Sequence, residues 1–285
     1  MALSIAHLGP AGTNAEAAAF LYANWLQAQG QRSLLCSYPS ISQSLQAVAQ
    51  GQADIAVVPV ENSVEGSVTT TLDGLWKLDS LKIQAALVLP ISYAFFSHAP
   101  TIAAVETVYS HPQALAQCQL WLEKHLPLAQ LMPTNSTTEA LHHLAGEPTV
   151  GALASERAAK LYNLPILACP INDYPDNCTR FWILGLQTSP GGTHTSLAFS
   201  VRDSPGALVK PLQVFADRRL NLSRIESRPT KRSLGEYVFF LDLEADERST
   251  ALQSALAEVA PYTETLKVFG SYSVLPQSQE KMSQD

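Results

Sequence analysis

The residues best suited to chemistry lie in short polar runs that border apolar segments. The richest is Asn177-Cys178-Thr179-Arg180-Phe181, which leads into the apolar run from Phe181 to Leu186. An arginine between a hydroxyl and an aromatic, where loop becomes strand, can set one charged donor in a cleft. In isolation, Thr-Arg-Phe is more often a strand opening whose arginine snorkels to solvent. A second run, Pro59-Val60-Glu61-Asn62-Ser63, places three hydrogen-bonding side chains after the apolar stretch Asp54 to Val60, more than a turn requires. Ser110-His111-Pro112-Gln113, with Gln117 a turn further on, adds an imidazole that could act as acid, base or helix cap. Asn135-Ser136-Thr137 and Gly9-Pro10-Ala11-Gly12-Thr13 add hydroxyls and backbone N–H groups at helix starts, where anions bind well. The set is rich in neutral donors and holds few carboxylates beyond Glu61, which points to a small anionic ligand.

These runs need elements to hold them. Ser4 to Leu8 reads as a strand, followed by a helix over Ala15 to Gln29 whose start is marked by the capping box Thr13/Glu16. Leu34 to Tyr38 is a strand, Ser40 and Gln43 cap the next helix, and Asp54 to Val60 reads as a strand buried on both faces. Right-handed crossover then makes a parallel sheet. Leu72 to Leu78 reads as a helix with Trp76 in the core, and Lys82 to Ser97 as one or two strands. Polar runs recur at the carboxyl ends of strands, where open parallel sheets bind ligands. The expected arrangement is two α/β lobes facing across a cleft.

Composition breaks at Thr188-Ser189-Pro190-Gly191-Gly192-Thr193, a flexible linker. The order beyond it is strand, helix from Ala207 to Ala216, strand, strand, helix, strand: the βαββαβ arrangement of ferredoxin-like domains. The expected domains are residues 1–188 and 195–273, with a disordered Gln/Ser-rich tail over 276–285. In the second domain, Gly206-Ala207-Leu208 offers backbone N–H groups, and the segment Asn221 to Pro229 leaves its strand through charged residues. Together they could hold the carboxylate and ammonium of an amino acid.

The bulk numbers exclude several classes. At 285 residues with a net charge of −7, the chain has no basic stripe for a nucleic acid. Cys36, Cys118, Cys169 and Cys178 lack metal-ligand spacing, so neither a metal site nor a disulfide framework is expected. The start Met1-Ala2-Leu3-Ser4 lacks the basic stretch of a signal peptide, and the most apolar segment, Ile83 to Phe96, is too short and interrupted to span a membrane. A soluble cytoplasmic protein that does not bind membranes is expected.

The order and spacing of these runs, together with Gly206 to Val209 and Glu226 to Pro229, resemble the monofunctional prephenate dehydratases across almost the whole chain. The resemblance implies a two-lobed catalytic domain like that of periplasmic binding proteins, followed by an ACT regulatory domain that binds phenylalanine. The implied reaction is loss of water and carbon dioxide from prephenate to give phenylpyruvate, without cofactor or metal. By resemblance, Thr179 sits at the departing ring hydroxyl and Arg180 clamps a substrate carboxylate. Asn62, Ser110 and Gln117 complete the catalytic set. Gly12, Thr13, Glu61, Ser63, His111, Ser136, Thr137 and Phe181 bind substrate. Gly206, Ala207, Leu208, Asn221, Glu226 and Ser227 bind phenylalanine, at a contact of a homodimer or homotetramer. The proton donor stays open among Glu61, His111 and water. Two departures stand out: Asn14-Ala15 follows the Thr where an aromatic or hydroxyl residue is common, and Pro211 falls early in the regulatory helix. Arogenate dehydratase and a non-catalytic amino-acid or solute sensor are the rival readings.

Overall fold

The computed structural model describes residues 2–276; most of the expected disordered tail, residues 277–285, lies outside them. The first lobe contains β1 (Leu3–Leu8), α1 (Asn14–Ala28), β2 (Ser33–Tyr38), α2 (Ile41–Ala49), β3 (Ile55–Asn62), β4 (Gly66–Ser67), α3 (Thr69–Lys77) and β5 (Lys82–Pro90). The second contains β6 (Tyr93–Ser97), β7 (Thr107–Ser110), α4 (Pro112–Gln117), α5 (Gln119–His125), β8 (Gln130–Pro133), α6 (Thr137–Leu141), β9 (Val150–Ser155), α7 (Arg157–Tyr162) and β10 (Ile166–Ala168). The chain then returns to the first lobe as β11 (Cys178–Gly185).

Both lobes are α/β, but their sheets are mixed, which corrects the expectation of parallel sheets. The first has strand order β2-β1-β3-β11-β5, with β4 paired to β3, and β11 runs antiparallel to both its long neighbours. The reason is the route of the chain. It leaves the first lobe at the end of β5 and re-enters beside that exit, with Cys178 opposite Pro90, so β11 must run back the other way. In the second lobe, order β10-β6-β9-β7-β8, the strands reached by the two crossings are likewise antiparallel to their neighbours. The crossings are stitched together: Asn172 accepts from Tyr93 N–H at 2.7 Å and donates to the Ile91 carbonyl at 3.0 Å, while Ile91 N–H reaches the Asn177 carbonyl at 2.8 Å. Asn177 to Thr179 therefore sit at the joint between the lobes.

The C-terminal domain runs β12 (His194–Ser200), α8 (Val209–Asp217), β13 (Leu222–Pro229), β14 (Tyr237–Leu243), α9 (Thr250–Val259) and β15 (Thr265–Tyr272), the βαββαβ order that was expected. Its antiparallel sheet has order β13-β14-β12-β15. Helix α8 begins at Val209, two residues later than expected. Pro211 thus falls in the first turn, where its missing N–H has no intrahelical partner to lose.

One face of this last sheet covers its own helices, around Leu197, Phe199, Phe215 and Leu252. The other face joins the first lobe in one core: Ala198, Val238, Phe240, Phe269 and Tyr272 pack with Trp182, Leu184, Val58 and Leu72. Trp76 lies at this junction, partly buried, its ring edge-on to Phe240 at 6.4 Å. Beyond Tyr272 the chain extends the first lobe's sheet. Ala86 N–H donates to the Ser273 carbonyl at 3.0 Å and Leu275 N–H to the Ala86 carbonyl at 2.7 Å. The opposite face of that sheet packs Phe181 and Ile183 against α1. No helix among the described residues is long and apolar enough to cross a membrane.

Candidate active site

A cavity of about 630 Å³ lies between the two lobes. Its walls come from the loop before α1, the ends of β3 and β11, and the starts of α4 and α6. Seven expected residues line it: Thr13, Asn62, His111, Ser136, Thr137, Thr179 and Phe181. Three helix starts converge there because each is capped from the cavity side. Thr13 Oγ1 accepts from Glu16 N–H at 3.3 Å, Ser136 Oγ from Glu139 N–H at 3.0 Å, and His111 Nδ1 from Gln113 N–H at 3.3 Å. These caps are local and follow from short-range residue spacing.

Thr179 is oriented by a chain of amides. Asn62 Oδ1 accepts two backbone N–H groups, from Val64 and Glu65, both at 3.0 Å. Those donors decide which end of the amide is oxygen, so its nitrogen faces Asn177 Oδ1 at 2.8 Å and Thr179 Oγ1 at 2.9 Å. Asn177 in turn donates to Gln117 Oε1 at 2.8 Å, and Gln117 donates to Glu65 Oε1 at 3.3 Å. Because Thr179 Oγ1 accepts from Asn62, its own proton is left to point elsewhere. The residue is 8% exposed and lines the cavity, so that proton is offered to whatever binds there.

His111 carries a lowered pKa because burial disfavours the imidazolium, with Glu65 opposing the shift. At neutral pH the ring is uncharged, and with Nδ1 accepting from Gln113 its proton sits on Nε2. Burial raises the Tyr93 phenol, so this second cavity residue also stays neutral.

Several expected residues stand elsewhere. Arg180 does not line the cavity. Successive side chains on a strand point to opposite faces, so with Thr179 and Phe181 toward the cavity, Arg180 and Trp182 face the C-terminal domain. There Arg180 Nη1 lies 3.5 Å from Glu61 Oε2 and 3.5 Å from Asp242 Oδ2. The expected carboxylate clamp is thereby corrected, and Glu61 leaves the cavity with it. Ser110 is fully buried and donates to the Leu153 carbonyl at 2.7 Å, so its hydroxyl ties β7 to β9. Gln117 stands one amide behind Asn62. Ser63 Oγ accepts from Cys178 N–H at 3.0 Å and shapes the loop before β11.

Gly12 is needed for its backbone rather than for a ligand. Its φ is +83°, and a Cβ would stand 2.9 Å from Thr138 Cγ2. Its N–H is taken by Glu16 Oε2 at 2.8 Å and its carbonyl by Ser155 Oγ at 3.0 Å, a contact between lobes. Asn177, Tyr93, Asn135, His142 and Tyr162 belong to the site or its support without having been singled out. Asn177 lay inside the quoted motif. Asn135 likewise lay inside the quoted run Asn135-Ser136-Thr137, whereas Tyr93, His142 and Tyr162 carry no local signal.

The expected phenylalanine residues do not share one cavity within a single chain. Ala207 and Leu208 line a space of about 250 Å³ with Asp203, Gly235, Tyr237 and Phe239. Glu226 instead faces the first lobe and accepts from Ser67 Oγ at 3.1 Å. Period-two alternation along β13 turns Arg224, Glu226 and Arg228 toward that lobe together.

Residues 5–189 match the family model for prephenate dehydratase, and residues 195–261 match that for the ACT domain. The chain belongs to the prephenate dehydratase family. The prephenate dehydratase of Lactococcus lactis subsp. cremoris is 36% identical over 281 residues, covering 95% of this chain and 98% of the relative. The bifunctional chorismate mutase/prephenate dehydratase of Aquifex aeolicus is 41% identical over 272 residues, covering 95% of this chain and 73% of that longer protein. A crystal structure of prephenate dehydratase from Arthrobacter aurescens in complex with L-Phe aligns with a TM-score of 0.81 at 33% identity, covering 95% of this chain and 90% of that one. In this chain the ACT domain follows the catalytic lobes.

Proposed function

We propose that Thr179 is the hydrogen-bond donor to the departing ring hydroxyl in the conversion of prephenate to phenylpyruvate. The observation that carries this reading is the Asn62 amide, which donates to Thr179 Oγ1 at 2.9 Å and so leaves the threonine proton for the cavity. In the reaction the bond from the ring to its carboxylate breaks, and the electron pair moves through the diene. The ring becomes aromatic as the carbon–oxygen bond opposite is lost. Negative charge develops on the leaving oxygen, where a preorganised donor stabilises the transition state more than the ground state. A neutral threonine hydroxyl is too weak an acid to complete the transfer, so the proton that turns hydroxide into water comes from another group. Glu61 is engaged by Arg180 on the rear face. The neutral His111 ring, which lines the cavity with its proton on Nε2, is as weak an acid as the threonine. His111 is therefore a second hydrogen-bond donor or relay, and the proton comes from water. No arginine or lysine lines the cavity among the described residues. The substrate's carboxylates are received instead by hydroxyls and by the helix starts at Thr13, His111 and Ser136.

Phenylalanine is the effector we assign to the C-terminal domain. The support is the matching ACT domain and the similar Arthrobacter protein that holds L-Phe. In this chain Ala207 and Leu208 lie in one cavity and Glu226 on another face, so a site using both segments needs β13 from a second copy, in a homodimer or homotetramer. Calorimetric titration of phenylalanine, with sedimentation of the same sample, checks both points.

The decisive test is steady-state release of phenylpyruvate, followed by ultraviolet absorbance, with prephenate and arogenate assayed side by side. Thr179→Ala is expected to lose roughly 10²- to 10³-fold in kcat with little change in KM, and Thr179→Ser to keep measurable turnover. Near-normal kcat in Thr179→Ala sinks the assigned role. Faster turnover of arogenate than of prephenate changes the substrate but leaves the role standing.

A further inference from the structure

We propose that Asp242, a residue of the C-terminal domain, is a positioning residue for the dehydration. Through Arg180 it holds the first residues of β11 so that Thr179 keeps facing the cavity. The inference rests on the role of Thr179 given above.

Thr179 sits close to an irregularity in its sheet. Along β11 and β3 the register runs Thr179 opposite Asn62 and Arg180 opposite Glu61, then shifts so that Phe181 stands opposite Pro59. Val60 is left without a partner across the strands, which is a bulge. Pro59 has no N–H to give the ladder at the next position. Toward β3 the regular ladder therefore breaks one pair beyond Thr179–Asn62, after Arg180–Glu61, while toward β5 it runs unbroken from Cys178 to Ile183. At the edge of the bulge the rear face adds a side-chain tie to Arg180.

That tie is a group of charges shared between domains. Arg180 Nη1 lies 3.5 Å from Glu61 Oε2 across the strand pair and 3.5 Å from Asp242 Oδ2 on β14. Asp242 is itself held by several partners. Its side chain is fully buried, and it accepts from Arg224 Nε at 2.8 Å, from Arg224 Nη2 at 3.4 Å and from Ser196 Oγ. A buried carboxylate must keep such partners, because losing one leaves an uncompensated charge away from water. The Arg224 guanidinium lies over the Trp182 ring, 5.3 Å from its centroid, and the Trp182 N–H donates to the Tyr272 hydroxyl at 3.3 Å. So Asp242 and its partners grip β11 at Arg180 and again at Trp182, the residues that bracket Phe181. Arg224 Nη1 is buried with no partner among the described residues, so the group has a donor to spare.

The geometry makes the C-terminal sheet part of the scaffold of the catalytic strand, and it gives Arg180 a different task from a substrate clamp. A clamp lost to mutation raises KM. A positioning residue lost to mutation lowers kcat, since a displacement of the reacting group by about 1 Å can cost around 10²-fold.

The test is steady-state kinetics with prephenate on the intact chain and on four variants: Arg180→Met, Arg180→Lys, Asp242→Asn, and Arg180→Met with Asp242→Asn. Thermal unfolding is measured on each. Arg180→Met is expected to lower kcat roughly 10- to 100-fold with KM nearly unchanged, and Arg180→Lys to recover part of that loss. Asp242→Asn is expected to reproduce the loss, and the double variant to be no worse than the poorer single one, because both act on one tie. Additive losses, a raised KM with normal kcat in Arg180→Met, or unchanged kinetics overturns the proposal. Should Asp242→Asn fail to fold, Arg180→Met against Arg180→Lys still decides, because both leave the Asp242–Arg224 pair in place. Normal kinetics in Arg180→Met beside an inactive Thr179→Ala removes only this inference. An active Thr179→Ala removes the reading on which it rests.

Discussion

The two faces of β11 are held by different physics. Toward the cavity, Thr179 is set by neutral amides: Asn62, Asn177 and Gln117 pass a fixed donor–acceptor sense along hydrogen bonds of 2.8–2.9 Å. Toward the C-terminal domain, Arg180 is set by charges, two carboxylates and a second arginine. Neutral groups suit the first face because they orient a hydroxyl without adding a charge that would compete with an anionic substrate. Charges suit the second because they act over longer distances and across a boundary between domains, where geometry is less tightly shared. One strand thus carries both the chemistry and the link to the domain that regulates it, on alternate residues.

This contrast can be broken on either side. The largest effect, beyond loss of Thr179 itself, is expected from Asn62→Asp. A carboxylate oxygen in place of the amide nitrogen accepts the threonine proton instead of leaving it for the cavity. We expect kcat to fall about 10²-fold with the fold retained, measured by kinetics and circular dichroism. An Asn62→Asp enzyme with normal kcat would show that the sense of this hydrogen bond is irrelevant.

A smaller effect is expected at the edge of the charged face. Asp73 accepts from Arg228 Nε at 3.2 Å and from Arg228 Nη2 at 3.3 Å, and it also binds Lys231. Partial burial pushes its carboxyl up, but Arg228 and Lys231 together outweigh this and hold its pKa below 3.8. A carboxyl whose pKa is lower in the folded state stabilises the fold above the ordinary value. That stability is lost as pH falls through the lower, folded one. Asp73→Asn is therefore expected to cost up to about 1 kcal/mol at neutral pH and nothing at strongly acidic pH, read by urea unfolding across pH. An equal cost at both extremes would mean that shape, not charge, holds this contact.

Much of the site was legible from local spacing. The caps at Thr13 and Ser136, the helix start at His111, and the βαββαβ order depend on residues a few positions apart, and each formed as expected. Arg180 shows the limit of reading a motif as one unit. Adjacent residues on a strand cannot share a face, so Thr179 and Arg180 had to part once the strand began at Cys178. Ser110 shows another limit. A hydroxyl after a strand looks available until the β9 carbonyl that takes its proton is known.

The sequence by itself determined where strands end, which helices are capped, and which side chains can donate or accept, because these follow from short-range sterics and hydrogen bonding. Only the tertiary structure decided which of those groups meet. The Asn62–Thr179 bond joins residues far apart in sequence, and the Asp242–Arg180 pair joins two domains. Both depend on β11 crossing back between β3 and β5 and on the C-terminal sheet covering its rear face. Such contacts are fixed by the packing of whole layers, which no local pattern encodes.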